Sequence, residues 1–262
     1  MRYFIHLAYN GTNFHGWQIQ PNASSVQETL ENSLSLLLRK TIQITGCGRT
    51  DTGVHASDFY AHFDTENSLS AEECLQLTNR LNAFLNKDIV IFSVFQVAET
   101  THARFDALSR TYQYHIVTSK QPFKQEFTHH VHYVPNIELM NKACAILFEY
   151  EDFTSFSKVH TQTKTNLCKI LHAHWDEKDS ELIFKIKANR FLRNMVRAIT
   201  GTLLDVGQGR IQYQDVHTII QTKNRSNAGT SLPANALFLT KVEYPAEMID
   251  YQNAEKRQGK EQ

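Results

Sequence analysis

Twice in the first third of the chain a serine stands three places before a glutamate at the head of an apolar stripe, Ser25 with Glu28 and then Ser70 with Glu73. Such a pair satisfies the open N–H groups of a first helical turn from both sides, so each marks a helix start. Val26, Leu30, Leu34 and Leu37 follow the first at helical spacing, and Leu77, Leu81, Phe84 and Leu85 follow the second. Helices are therefore expected over 25–39 and 70–86. Around them, 2–9, 41–46, 54–63 and 89–97 read as strands, which gives the order βαββαβ. The rest of the chain reads in the same way: a strand at 111–118, a helix at 137–149, strands at 167–176 and 182–188, a helix at 190–206, a short helix at 214–222 and a strand at 236–244.

This order predicts an α/β (α+β) protein of two ferredoxin-like βαββαβ halves, with abutting, mainly antiparallel sheets and a cleft between them. The expected division is an N-terminal α/β domain over 1–104, a C-terminal α/β domain over 105–250 that completes the cleft, and a disordered tail over 251–262. A chain of 262 residues is long enough to bury the cores this requires.

Composition removes several classes of function. No apolar run approaches the roughly 20 residues that span a bilayer, and the N-terminus lacks the apolar core of a signal peptide. No membrane association is expected, and the cytoplasm is the expected location. Cys47, Cys74, Cys144 and Cys168 form no CxxC pair, so neither zinc nor a disulfide framework is indicated. His130 and His132 would share a strand face beside His129, but two ligands do not make a metal site, and no metal or cofactor is expected. Lys+Arg and Asp+Glu both number 27, which argues against holding nucleic acid by bulk charge. Charge is nonetheless concentrated locally. From Lys185 through Lys187, Arg190, Arg193 and Arg197 no acidic residue intervenes, a strip suited to a polyanion.

Chemistry is most plausible in the run from Gly46 to Ala56, where Asp51 lies close to Arg49 in a loop with glycines at 46, 48 and 53. Asp51 can serve as nucleophile or base, and Arg49 offers a donor shaped for phosphate. The same residues also suit a strand-to-strand turn in which Asp51 caps its own backbone. Further on, strand alternation places Arg110, Tyr112 and Tyr114 on one face, an aromatic-basic surface suited to an unstacked nucleobase. Arg190, Arg193 and Arg197 would form one helical stripe, with Arg197 the one drawn inward. An arginine beside a catalytic carboxylate favours its charged form. His55 and His102 read as structural or RNA-contacting.

With these motifs in order, the chain resembles the tRNA pseudouridine synthase A family over nearly its whole length. The GRTDxGVHA signature is Gly48 to Ala56, and YDGTxFxGWQxQP runs from Tyr9 to Pro21. HARF is His102 to Phe105, RxYxY is Arg110 to Tyr114, and FLxxMVRxIxG is Phe191 to Gly201. The resemblance implies isomerisation of uridine to pseudouridine at tRNA positions 38–40, without cofactor, by a homodimer that grips tRNA. It implies Asp51 as catalytic nucleophile, Arg49 as an aid to base flipping, Tyr112 as the ring stacked on the target uracil and possible acceptor of its C5 proton, and Arg197 as the basic partner of Asp51. Arg104, with His102 and Phe105, would contact RNA. The sequence departs from the family's pattern at Asn10, where aspartate is common, at 156–161, where Gln-Cys-Gln is missing, and at Ala236 to Leu239, in place of GLxL. The rival readings are a non-catalytic RNA-binding protein using the same residues and a metal-dependent hydrolase using the His130 region.

Overall fold

The computed structural model describes residues 1–158 and 165–248. The expected tail over 251–262 and the second half of the 156–161 departure, from Val159 on, lie outside the described residues. Backbone contacts divide the chain into two units, Met1–Leu108 with the chain from Leu239 onward, and Ser109–Phe238.

In the first unit, β1 (Arg2–Tyr9) runs antiparallel to both β3 (His55–Asp64) and β4 (Ile89–Val97), and β2 (Ile44–Gly46) pairs antiparallel with the far edge of β3. Tyr3, Ile5 and Leu7 alternate onto one face and are fully buried. Over this unit's core lie α1 (Val26–Leu38) and α2 (Ala71–Phe84). Both begin where the serine–glutamate pairs place them. The Ser25 hydroxyl accepts from the Glu28 N–H at 3.2 Å. At Ser70 both arms of the box are present, because the Glu73 carboxylate also accepts from the Ser70 N–H at 2.7 Å. Val26, Leu30 and Leu34 of α1, with Leu77 and Leu81 of α2, are buried. Phe84 falls off this stripe and is 54% exposed.

The second unit orders its strands β5 (Ser109–Val117), β8 (Glu181–Ala188) and β7 (Ile170–Lys178), antiparallel throughout. The two-residue β6 (His129–His130) runs parallel beside β5. Its helices are α3 (Ile137–Ile146), prolonged by the 3-10 turn Leu147–Glu149, then α4 (Met195–Gly207) and α5 (Asp215–Gln221). Trp175 stacks on Phe184 at 5.0 Å in this core, and the Asn141 amide of α3 ties itself to both backbone groups of Trp175. The last strand, β9 (Leu237–Glu243), carries the chain back to the first unit, where it lies beside β3. The protein is thus mixed α/β with mostly antiparallel strands.

One expectation fails here. The helix anticipated from residue 190 begins only at Met195, because Asn194 takes a left-handed backbone (φ 68°) that cannot continue a helix. Arg190 and Arg193 precede it, so the three arginines form no helical stripe. Among the described residues, no helix is long and apolar enough to cross a membrane.

Candidate active site

The Asp51 loop joins β2 to β3 and is held from the side by the segment that follows β1. At one end the Cys47 N–H donates to the Tyr60 carbonyl at 2.7 Å, which continues the β2–β3 ladder. Thr50 is buried, and its hydroxyl shares a 2.9 Å hydrogen bond with the Tyr9 hydroxyl. The Thr50 carbonyl accepts from the Trp17 N–H, and the Phe14 carbonyl accepts from the Gly53 N–H. Asp51 itself opens a turn, with its carbonyl accepting from the Val54 N–H at 3.1 Å and Gly53 at φ 79° in the third position. That dihedral suits glycine and little else. The turn therefore uses the main chain of Asp51.

Two glycines outside the loop permit this closeness. Gly16 lies at φ 88°, and a Cβ there would come within 2.4 Å of the Thr50 carbonyl oxygen. A Cβ at Gly11 would come within 2.0 Å of the Val54 oxygen. Trp17 completes the support, stacked on Phe59 at 4.1 Å and lying against Gly46. Asp51 is left half-buried and Arg49 exposed. The sequence reading assigned the stretch from Tyr9 to Pro21 only by resemblance; its physical task is to fix the loop. The glycines at 11 and 16, spaced among aromatics, are the signal that could have shown this.

His55 is structural: it is 2% exposed and its Nδ1 accepts from the Gly11 N–H at 3.1 Å. The Asn10 departure is harmless locally. Its side-chain oxygen accepts from the Thr12 N–H and hydroxyl, at 3.0 and 2.7 Å, which an aspartate would do equally well.

The turn of His102 to Asp106 is also in the first unit, but it is anchored elsewhere. The Ala103 N–H donates to Nδ1 of His62, and the Ala103 carbonyl accepts from the Tyr244 hydroxyl. His62 sits seven residues along β3 from His55, about 23 Å at strand rise. The structure therefore does not bring Arg104 and Phe105 to the Asp51 loop. His102 shapes the turn, because its Nδ1 accepts from the N–H groups of Arg104 and Phe105 while its own N–H donates to Asp106. Burial pushes His62 down to about 4 and holds His102 below the ordinary histidine range, so both act as neutral acceptors. Phe105 is 74% exposed, with the Arg104 guanidinium 5.7 Å from its ring centre.

Tyr112 and Arg197 belong to the second unit. The register Arg110↔Ala188, Tyr112↔Ile186 and Tyr114↔Phe184 puts the three β5 side chains on one face. Their fates differ. Tyr114 is fully buried and donates its hydroxyl to the Pro233 carbonyl at 2.8 Å, so it is a core residue. Tyr112 stays half-buried at the rim, edge-on to Phe191 at 5.2 Å. Arg197 projects from the first turns of α4, and its Nε donates to the Leu232 carbonyl at 2.5 Å. His130 and His132 pack ring against ring at 4.4 Å. Among the described residues, no group of three or more His, Cys, Asp or Glu side chains could hold a metal ion.

Comparison with known proteins defines the class first: residues 144–245 match the family model of tRNA pseudouridine synthase. Whole-chain similarity is closer. The chain is 52% identical over 251 residues to a tRNA pseudouridine synthase A of Bacteroides fragilis, covering 95% of this chain and 98% of that one. It is 50% identical over 248 residues to one from Parabacteroides distasonis (95% and 98%), and 48% identical over 250 residues to one from Porphyromonas gingivalis (95% and 99%). The chain belongs to the tRNA pseudouridine synthase A family.

Proposed function

We propose that this protein isomerises uridine to pseudouridine in tRNA, at positions 38–40 of the anticodon arm, acting in the cytoplasm as a homodimer. We further infer that each unit is a ferredoxin-like half; the antiparallel order β4-β1-β3-β2 of the first supports this. The observation that carries the functional reading is the Asp51 loop, a half-buried carboxylate on a turn fixed by buried aromatics and close backbone contacts.

The reaction asks for little beyond such a group. The N1–C1′ bond breaks, the uracil turns, and C5 joins C1′; C5 loses its proton and N1 gains one, so no water or co-reactant is consumed. In this reading Asp51 begins the reaction as nucleophile or as base toward the sugar. Tyr112 stacks on the uracil and accepts or relays the C5 proton. Arg197 favours the charged form of the carboxylate. Arg49 helps hold the nucleotide out of its stack, an extrusion costing a few kcal/mol. Arg104 and Phe105 meet RNA away from the target base, a reading that their distance along β3 supports.

The test is to incubate the purified protein with unmodified tRNA transcripts and map pseudouridine. Conversion at positions 38–40 is expected. Binding without conversion would leave the RNA-binding reading in its place.

A further inference from the structure

The basic strip that begins at Lys185 does not lie on one surface. The register pairs Ile186 with Tyr112 and Phe184 with Tyr114, so these side chains share the face covered by the core. Lys185 and Lys187 alternate to the other face. Across β8 and β7, Lys187 stands opposite His172 and Lys185 opposite His174. On β7, Ala173 and Trp175 are buried while His172 and His174 are exposed, with ring centres 6.4 Å apart. Lys169 extends the column, exposed between the buried Cys168 and Ile170. Acids stand at the margin: Asp176, 3.5 Å from His174, and Glu181 of β8, which alternation puts on the face of Lys185 and which is paired with His115 and Lys124.

The charge of this grid is that of Lys169, Lys185 and Lys187, and the two lysines of β8 stand two residues apart on one face, where like charges repel. The cost is visible locally: His172 is held below the ordinary histidine range by partial burial first, then by Lys185, His174 and Lys187 against the opposing pull of Asp176. The chain as a whole carries no net charge, so this is a local excess of cations on a solvent-facing sheet surface. A second copy of the chain placed on it by a two-fold axis would set lysine against lysine. A polyanion relieves the repulsion.

We propose that this face of the second unit's sheet binds the phosphodiester backbone of tRNA, outside the nucleotides that reach Tyr112; the inference rests on the tRNA-modifying reading above. Tyr112 and the lysines emerge on opposite faces of the same sheet, so one short RNA segment does not serve both. The face adds affinity for the whole tRNA and leaves the chemistry alone, since phosphate contacts position a nucleic acid without reading its bases.

The test compares the wild-type protein with Lys169→Gln/Lys185→Gln, using full-length tRNA and an isolated anticodon-arm hairpin. For full-length tRNA the double variant should bind about tenfold more weakly near 0.1 M salt, and the slope of log affinity against log salt should shrink by about 1.5, two phosphate contacts' worth. Hairpin affinity and the single-turnover rate on the hairpin should be unchanged. Unchanged affinity and slope on full-length tRNA would overturn the proposal, and equal losses on both RNAs would assign the lysines to the target pocket instead. A fall in sedimenting mass with the weaker binding would assign the face to a second copy, also against the proposal. Absence of pseudouridine from wild-type reactions would instead sink the functional reading, since the binding comparison needs no turnover.

Discussion

Two turns of the first unit display an arginine to solvent, and they are built in opposite ways. The Asp51 loop, with Arg49, is held by backbone contacts that two distant glycines make possible, by the Thr50–Tyr9 hydroxyl pair and packed aromatic rings, and by the His55 ring that accepts from the Gly11 N–H. The turn carrying Arg104 is held by side chains, with His62 and Tyr244 gripping Ala103 and His102 and Asp106 closing the bend. The first leaves no room for a methyl group at Gly11 or Gly16. The second depends on side chains, among them two histidines that accept hydrogen bonds as neutral rings. On the proposed reading, a carboxylate that meets a reacting atom needs the fixed kind of turn, whereas an arginine–phenylalanine pair proposed to meet RNA elsewhere does not.

The largest effect that would break this contrast is expected from Gly16→Ala. The new Cβ would meet the Thr50 oxygen at 2.4 Å, on a backbone at φ 88°, so the loop must shift. A displacement near 1 Å costs about 100-fold in catalysis, and kcat/KM should fall by that order while Arg104 keeps its place. Near-wild-type kinetics would mean that the loop need not be fixed. A smaller effect separates the two arginines. Arg49→Gln should lower single-turnover rate by about tenfold, whereas Arg104→Gln should raise KM about threefold at constant kcat, each losing a charge-assisted contact at a different stage. Equal effects on both parameters would put the two turns at one site.

The smallest effect is in stability. His62 titrates at about 4 in the fold against an ordinary 6.5, so between those values the unfolded chain binds more protons and stability falls as pH falls. Denaturant titrations should show this loss from pH 6.5 toward 4, and His62→Gln, which keeps an acceptor but no titration, should flatten it. A parallel decline in the variant would assign the acid sensitivity to other groups.

The sequence alone revealed the helix starts at Ser25 and Ser70, because a capping box is a local device whose partners lie within four residues. β1 and β4 were readable for the same reason: their apolar runs end at their own boundaries. Where tertiary contacts decide, the reading failed. Nothing local to Asn189–Arg193 shows that Asn194 will turn left-handed and delay α4, and a two-residue strand such as β6 has no pattern to read. The spacing of Arg110, Tyr112 and Tyr114 was legible, but only packing distinguishes the buried Tyr114 from the rim-lying Tyr112. The lysines and arginines between 185 and 197 looked like one strip because their charge is visible in the sequence and their faces are not.

The central claim is that the carboxylate held by this loop starts the isomerisation. The most direct test is single-turnover pseudouridine formation at saturating enzyme with Asp51→Asn, which removes the charge and keeps the shape. The rate should fall by at least about 10³-fold, with tRNA affinity within about tenfold of wild type because phosphate contacts supply most of it. Conversion at close to the wild-type rate would contradict the account.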